Sequence, residues 1–457
     1  MYLGPPSGRR AVETQQIPVA LTRAEAVSTP KENISIVPLL AVNFVGTLGF
    51  SIVIPFLVIL VTKWGGNAVV YAVLMATYSF FQLFGAPILG RMSDRIGRRK
   101  VLLFSQLGTL ASWAIFLIAF MLPVNALATV NDSFLGDFVI TLPLLVLFFA
   151  RAADGLTGGN VSVSNAYQAD VTTEEARSKN YGQMAISTNL GFIVGPALAG
   201  LLGATLFGEI VPVFAAFVIS AVALGLIQFG LKEVAPLKIT ENLESPNACA
   251  VFGQEHRRGY KLHCTEPDSI SSMLRMPNLT SLMSMSFLVM LGFSFFYAAF
   301  PVHAVQGLSW SVVDIGVYFA VLSLLMVAVQ GPLLAWAATR LSDRVLMSGG
   351  SVLLSFGFIA IFFESITVIY IGAALIAVGN GLMWPTFMSV LSKAAGKRMQ
   401  GTVQGFASSA GAVASILGLI VGGIGYVTFG AAIFLIAAVI ILSVALVALR
   451  YSPQKSI

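Results

Sequence analysis

Twelve stretches of this chain run apolar for about 18 residues or more, the length an α-helix needs to cross the roughly 30 Å hydrocarbon layer of a bilayer. They fall near 36–62, 68–90, 101–122, 141–163, 181–206, 210–231, 277–302, 312–338, 345–363, 366–388, 401–424 and 427–449. A water-soluble core has no room for so many. With 57% hydrophobic residues against 10% charged and a mean hydropathy of +0.88, the solvent for most of the chain has to be lipid. The sequence therefore predicts an all-α membrane protein with twelve transmembrane helices.

The polar connections sort by charge. If residue 1 is cytoplasmic, alternate connections place 24 of the 26 Lys and Arg on that side, from Arg9 to Lys455; Lys63 falls on the other side and Arg151 inside a span. The outer connections carry Asp132, Asp137, Glu209 and Glu364. This is the positive-inside asymmetry, and it accounts for the net charge of +6 without a nucleic-acid partner. Both termini are expected in the cytoplasm, with the protein in a plasma or inner membrane. Residues 1–35 are polar, hold Pro5, Pro6, Pro18 and Pro30, and read as a disordered tail with no removable signal. The long connection 232–276 divides the spans six and six, which gives an N-terminal bundle at 36–231, a C-terminal bundle at 277–449 and a cytoplasmic tail at 450–457. Cys249, His256, His263 and Cys264 share that connection without a C-x-x-C or H-x-x-x-H pair. It reads as a reduced linker, and no metal site is expected.

The spans repeat. Arg91–Arg95 reads RMSDR and Arg340–Arg344 reads RLSDR. At a shift of 223 residues Gly158, Gly182, Gly195 and Gly200 match Gly381, Gly405, Gly418 and Gly423, and at a shift of 246 Gly46, Phe50 and Pro55 match Gly292, Phe296 and Pro301. Two pseudo-symmetric six-helix bundles, related by an axis along the membrane normal, follow from this pattern.

The stretch "GRMSDRIGRRK" at 90–100 holds five cations and one acid in eleven residues. Such charge sits at the cytoplasmic face. A topology anchor accounts for Arg99 and Lys100, but it leaves Gly90, Asp94 and Gly97 unexplained. The stretch resembles the loop signature G-x-x-x-D-R-x-G-R-R-K of the major facilitator superfamily, through Gly90, Asp94, Arg95, Gly97, Arg98, Arg99 and Lys100. "RAADGLTGGN" resembles that family's R-x-x-x-G pattern through Arg151 and Gly155. "GFIVGPALAG" is similar to the G-x-x-x-G-P-x-x-G-G motif of its drug:proton antiporter branch through Gly191, Gly195, Pro196 and Gly200, with Ala199 replacing one glycine. "ADVTTEEARSKNYG" also looks like the twelve-helix tetracycline and multidrug exporters. The similarity covers nearly everything from 36 to 449.

The resemblance implies alternating access and a cytoplasmic gate, with Asp94 directed at the start of helix 11 and the arginines at Asp170. Asp343 and Arg344 would form a weaker second copy. It also implies close packing by Gly191 and Gly195, one helical turn apart, beside a bend at Pro196. Antiporters of this kind often carry an acid on helix 1; here Gly46 holds that position, with Asn43 one turn earlier. Arg151 and Asp154, three apart on helix 4, are ionisable groups within a span. They either carry and sense a coupled proton or form a static pair. Asp314 and His303 lie at outer helix ends, as an interfacial residue and a hydrogen-bonding or second titrating group.

The remaining cavity candidates are Tyr78 and Gln82, Phe293, Phe296 and Tyr297, and Asn380, Trp384 and Phe387. Neutral and aromatic, they favour a moderately apolar, uncharged or cationic small molecule over a sugar phosphate. The expected function is proton-coupled export by a monomer without a cofactor, with import, uniport or a flux-free receptor as alternatives. An enzyme would need a nucleophile with a base, a metal spacing or a phosphate-cradling loop, and a channel would need a ring of like residues or a carbonyl filter; the sequence presents neither set.

Overall fold

The computed structural model describes residues 35–132, 135–158, 163–164, 167–168, 171, 174–233, 248–250, 261–263 and 279–450. Among the described residues, the helical segments follow in this order. They are α1 (Val37–Lys63), α2 (Ala68–Ile96), α3 (Arg98–Ala119), α4 (Leu142–Thr157), α5 (Glu174–Gly203) and α6 (Ile210–Gly230) in the first half. The second half has α7 (Leu279–Gln306), α8 (Val312–Ala338), α9 (Asp343–Phe362), α10 (Ile366–Leu391), α11 (409–429) and α12 (Ile433–Arg450). Large apolar side chains such as Phe149, Phe214, Phe229 and Leu446 stay exposed on the outside of these helices, as a lipid solvent allows and water would not.

Three features depart from the hydropathy reading. First, α2 continues through the charged stretch to Ile96, so the turn to α3 is the single residue Gly97, whose φ of +106° only glycine adopts readily. Second, helical backbone runs unbroken from Ile366 to Phe429, where a break between α10 and α11 was expected. The connection there is rich in strong helix formers: Lys393, Ala394, Ala395, Lys397, Arg398, Met399 and Gln400. Third, the connection between α3 and α4 is an antiparallel hairpin of β1 (Ala126–Asp132) and β2 (Gly136–Thr141). Two short strands, β3 (Ala248–Ala250) and β4 (Lys261–His263), pair within the long connection and take in Cys249 and His263; His256 and Cys264 lie outside the described residues.

Prolines shape the helices that carry them. α1 is interrupted by a turn at Ile52–Val53, just before Pro55, and a π-helical turn at Val329–Leu333 in α8 accommodates Pro332. In each case the missing proline N–H is absorbed by a local change of helical pitch.

Glycine spacing sets how the helices meet. In lipid there is no hydrophobic gain in bringing two apolar helices together, so association rests on close backbone packing. A β-carbon at Gly191 would lie 3.0 Å from Phe44 O, and one at Gly195 would lie 3.0 Å from Leu48 O, both on α1. The Ser51 hydroxyl then donates to Gly191 O at 2.9 Å. One further turn along α5, Gly200 and Gly203 face Val312, Val313 and Gly316 of α8, in the other half. The second half repeats the arrangement: Gly418 packs against Leu291 and Ser294 of α7, and Gly423 against Ala68 and Ala72 of α2. The pairs Gly195/Gly418 and Gly200/Gly423 noted in the sequence thus hold equivalent places. One member of each set closes its own bundle and the other joins the two bundles.

Both joints lie toward the end of the molecule that carries the β1–β2 hairpin. Toward the opposite end, which carries Gly97, the apolar face of α2 at Phe80, Phe84 and Ile88 is uncovered. This conformer is closed at the hairpin end. Gly195→Ala and Gly423→Ala are expected to destabilise the protein by about 1–3 kcal/mol through overpacking, whereas Gly46→Ala, which meets nothing within 4 Å, is expected to be neutral or mildly stabilising. Thermal unfolding of the purified protein in detergent reads the difference.

Candidate functional site

A cavity of about 470 Å³ lies within the first half, and α1 to α6 all contribute to its wall. Its shape follows from two recurrences at helical spacing. Gln106, Thr109 and Trp113 lie on one face of α3, and Met184, Thr188 and Phe192 on one face of α5. The sequence reading names neither set. Gln106 is committed to the wall, where its amide donates to Ser220 O at 3.1 Å and Ser220 Oγ at 2.7 Å.

Asp154 lines this cavity with 8% of its surface exposed, and Arg151 lies behind it at 4%. Arg151 Nη1 stands 3.4 Å from Asp154 Oδ2. The guanidinium rests 4.6 Å from the centre of the Tyr78 ring, a cation–π contact that partly replaces lost solvation. Arg151 Nε has no hydrogen-bond partner among the described residues. The spacing of Arg151 and Gly155 has a physical reason here. A β-carbon at Gly155 would fall 2.5 Å from Tyr78 O, so the glycine lets α4 sit on α2 and brings Tyr78 under the arginine. Gln82 holds the rim by donating to Tyr78 Oη and Gly158 O, each at 3.1 Å.

On α1, Asn43 Nδ2 donates to Thr188 Oγ1 at 2.7 Å and Met184 O at 3.2 Å, linking α1 to α5 at the cavity wall. Gly46 leaves open space in the same wall. Asn43, Tyr78, Gln82 and Asp154 therefore meet in one place.

The other aromatic candidates do not join them. Phe293, Phe296 and Tyr297 pack into a cluster with Phe319 and Phe358, and Phe296 lies 5.1 Å from Phe300. Phe387 is fully buried against Trp384, and Asn380 sits part-buried near Met326. Asp314 forms a capping box with Ser311 at the start of α8. His303 is buried, with Nδ1 3.3 Å from Tyr426 Oη and Nε2 without a partner among the described residues.

At the α2–α3 turn the structure shows partners that the sequence did not suggest. Arg99 donates from Nε to Ile227 O at 3.3 Å and from Nη2 to Gln228 O, so its guanidinium caps the C-terminal carbonyls of α6. Its backbone N–H donates to Glu233 Oε1 at 3.2 Å. Arg98 is buried and donates to Ser93 Oγ at 2.6 Å. Gly97 presses on the Glu233 carboxylate, whereas Gly90 stands in open space within α2. The side chains of Asp94 and Arg95, and all of Asp170, lie outside the described residues. Asp343 and Arg344 begin α9, with Ser342 as the N-cap.

The family model described as Major Facilitator Superfamily matches this chain twice, over residues 39–336 and 282–456. The class C tetracycline resistance protein of Escherichia coli is 26% identical over 399 residues, covering 86% of this chain and 89% of the relative. The class E protein of Escherichia coli is 27% identical, covering 85% and 87%. Multidrug resistance protein 2 of Bacillus subtilis (strain 168) is 27% identical over 48% of this chain and 49% of its own. The solved structure of the human organic anion transporter MFSD10 (TETRAN) superposes with a TM-score of 0.62 at 22% identity, covering 92% of this chain and 99% of that one. With two matches of the family model spanning nearly all of its length, and two bundles whose helices pack in the same pattern, the chain belongs to the major facilitator superfamily and is a multi-pass membrane transporter.

Proposed function

We propose that this transporter exports a moderately apolar small molecule in exchange for protons, by alternating access, with the ligand in the first-half cavity and the proton on Asp154. The observation that carries this reading is the Asp154–Arg151 pair at the wall of that cavity. A buried pair is costly to desolvate and is a poor choice for stability alone. It is well suited to change state. With Asp154 ionised the pair is neutral; with Asp154 protonated the Arg151 charge is uncompensated beside the cavity. A cationic ligand is then repelled by the protonated site, so proton and ligand oppose each other, as exchange requires. The largely apolar wall suits an uncharged or singly cationic molecule. Export, rather than import or uniport through the same cavity, is supported by the tetracycline and multidrug resistance relatives.

The gate reading assigns the α2–α3 turn, from Gly90 through Asp94, Arg95, Gly97, Arg98 and Arg99, to the cytoplasmic side, with Asp170 as a partner and Asp343 and Arg344 as the second copy. Gly191, Gly195, Pro196 and Gly200 serve as the packing spine. A monomer in a plasma or inner membrane, with both termini cytoplasmic, completes the proposal.

Two tests follow. In proteoliposomes, Asp154→Asn is expected to keep ligand binding and downhill exchange and to lose accumulation driven by a pH gradient; coupling equal to wild type rejects the proton role and leaves a static pair. Loss of all flux with a pH-gradient response still present in the binding assay would instead favour a receptor. Arg99→Ala is expected to lower turnover several-fold with little change in ligand affinity. It should also cost about 1 kcal/mol of stability through the uncapped end of α6; thermal unfolding and initial rates measured on the same preparation separate the two effects.

A further inference from the structure

The hairpin between α3 and α4 lies at the end where the two halves meet, and it is held unequally by them. Among the described residues, four hydrogen bonds fasten it to its own half. Val139 N–H donates to Gly65 O at 2.8 Å, and Thr141 Oγ1 donates to Trp64 O at 2.8 Å. Asn67 Nδ2 donates to Leu135 O at 2.8 Å and to Asp137 O at 3.4 Å. Toward the other half it presents Gly136, beside its tip. Gly136, at φ +73°, would place a β-carbon 3.2 Å from Val427 Cγ1, near the end of α11. That end of α11 is also where Gly423 meets Ala68 and Ala72 at the start of α2.

Asn67 is the point where these features converge. Its Oδ1 accepts from Val69 N and Val70 N at 3.0 and 3.1 Å and so caps α2, the helix that packs on α11. Its Nδ2 faces the opposite way and holds the hairpin. One amide thus orients both the inter-half helix and the strap that lies over the joint.

We propose that the β1–β2 hairpin is a latch that holds the hairpin end of the transporter closed, with Asn67 as the positioning residue that fastens it and Val427 as its seat. The proposal rests on alternating access between the two halves. When α2 and α11 separate at this end, the four hydrogen bonds travel with the first half and the contact at Val427 breaks. The latch adds to the closed state a contact that is lost in the open one, which is the condition for biasing a two-state equilibrium. Its strength is set by the Asn67 amide, because without those donors the tip is free to leave α11 while the cap of α2 remains.

The test uses the difference between the two ends of that amide. Asn67→Asp retains an oxygen for Val69 N and Val70 N, loses both donations to the hairpin, and sets a carboxylate against two carbonyl oxygens. Asn67→Ser is a second variant that caps without fastening, for use if the aspartate fails to fold. Val427→Ala removes the seat from the other side. Each is placed in a Met75→Cys background with Cys249 and Cys264 changed to Ser. Met75 is half-buried against the cluster that Ala72 and Ala76 of α2 form with Ala298 of α7 and Leu419 of α11, near the joint. The reading is the rate at which a maleimide labels the thiol introduced by Met75→Cys in purified protein.

Labelling is expected to rise by about threefold or more in the Asn67 variant and in Val427→Ala, with unfolding temperature unchanged. A rate equal to the parent in either variant overturns the latch. In the parent itself, labelling in proteoliposomes should differ with and without a pH gradient. No difference there would sink the proton-coupled reading of the proposed function, whereas a difference that the hairpin variants do not alter sinks the latch alone.

Discussion

How near two helix backbones approach in lipid governs the rest of this structure. Apolar side chains gain nothing by leaving hydrocarbon for a protein interior of the same polarity, so the contacts that hold the spans must come from dispersion and from polar groups brought within bonding distance. The glycines of α5 and α11 supply that proximity. Gly195 and Gly418 let each helix lie against the first helix of its own bundle, and Gly200 and Gly423 let the same two helices touch the opposite bundle. The Ser51–Gly191 hydrogen bond shows what the approach provides: a hydroxyl at the interruption of α1 reaches a main-chain carbonyl on α5. Because the same two helices form both joints, motion between the bundles is tied to packing within each of them.

Against this neutral scaffold the Arg151–Asp154 pair carries electrostatic weight out of proportion to its size. The cation rests on the Tyr78 ring, the acid faces the cavity, and the glycine four residues after the arginine sets the distance to α2 that makes the stacking possible. At a water-exposed site such a pair would contribute little. Out of water, the loss of one charge changes what the neighbouring space will accept.

Much of the architecture was legible in the sequence because lipid simplifies the code. Long apolar runs give the helices from composition alone, and the spacing of Gly195 to Gly418 gives the internal symmetry. Of the site, the residues that break an apolar pattern with charge or amide, Asn43, Gln82 and Asp154, were visible. Residues such as Thr109, Thr188 and Trp113 were not, since threonine and tryptophan are unremarkable in a span until two helices turn them toward each other. Phe293, Phe296 and Tyr297 pack on one another, and a ring that lines a void and a ring that fills one look alike in one dimension. Glu233 was hidden for a different reason: its partners are 134 residues earlier in the chain, and only the fold brings the end of α6 to the α2–α3 turn. The hairpin escaped notice because its alternation is short and lies among apolar spans, so hydropathy averages it away.

Among the described residues, the cavity wall belongs to one bundle. If the ligand binds there as proposed, it keeps its contacts with these residues when that bundle tilts, so this wall alone gives it no difference in affinity between the two faces of the membrane. Such a carrier has no built-in preference for loading on one side, and any uphill work must enter through the charge state of the wall.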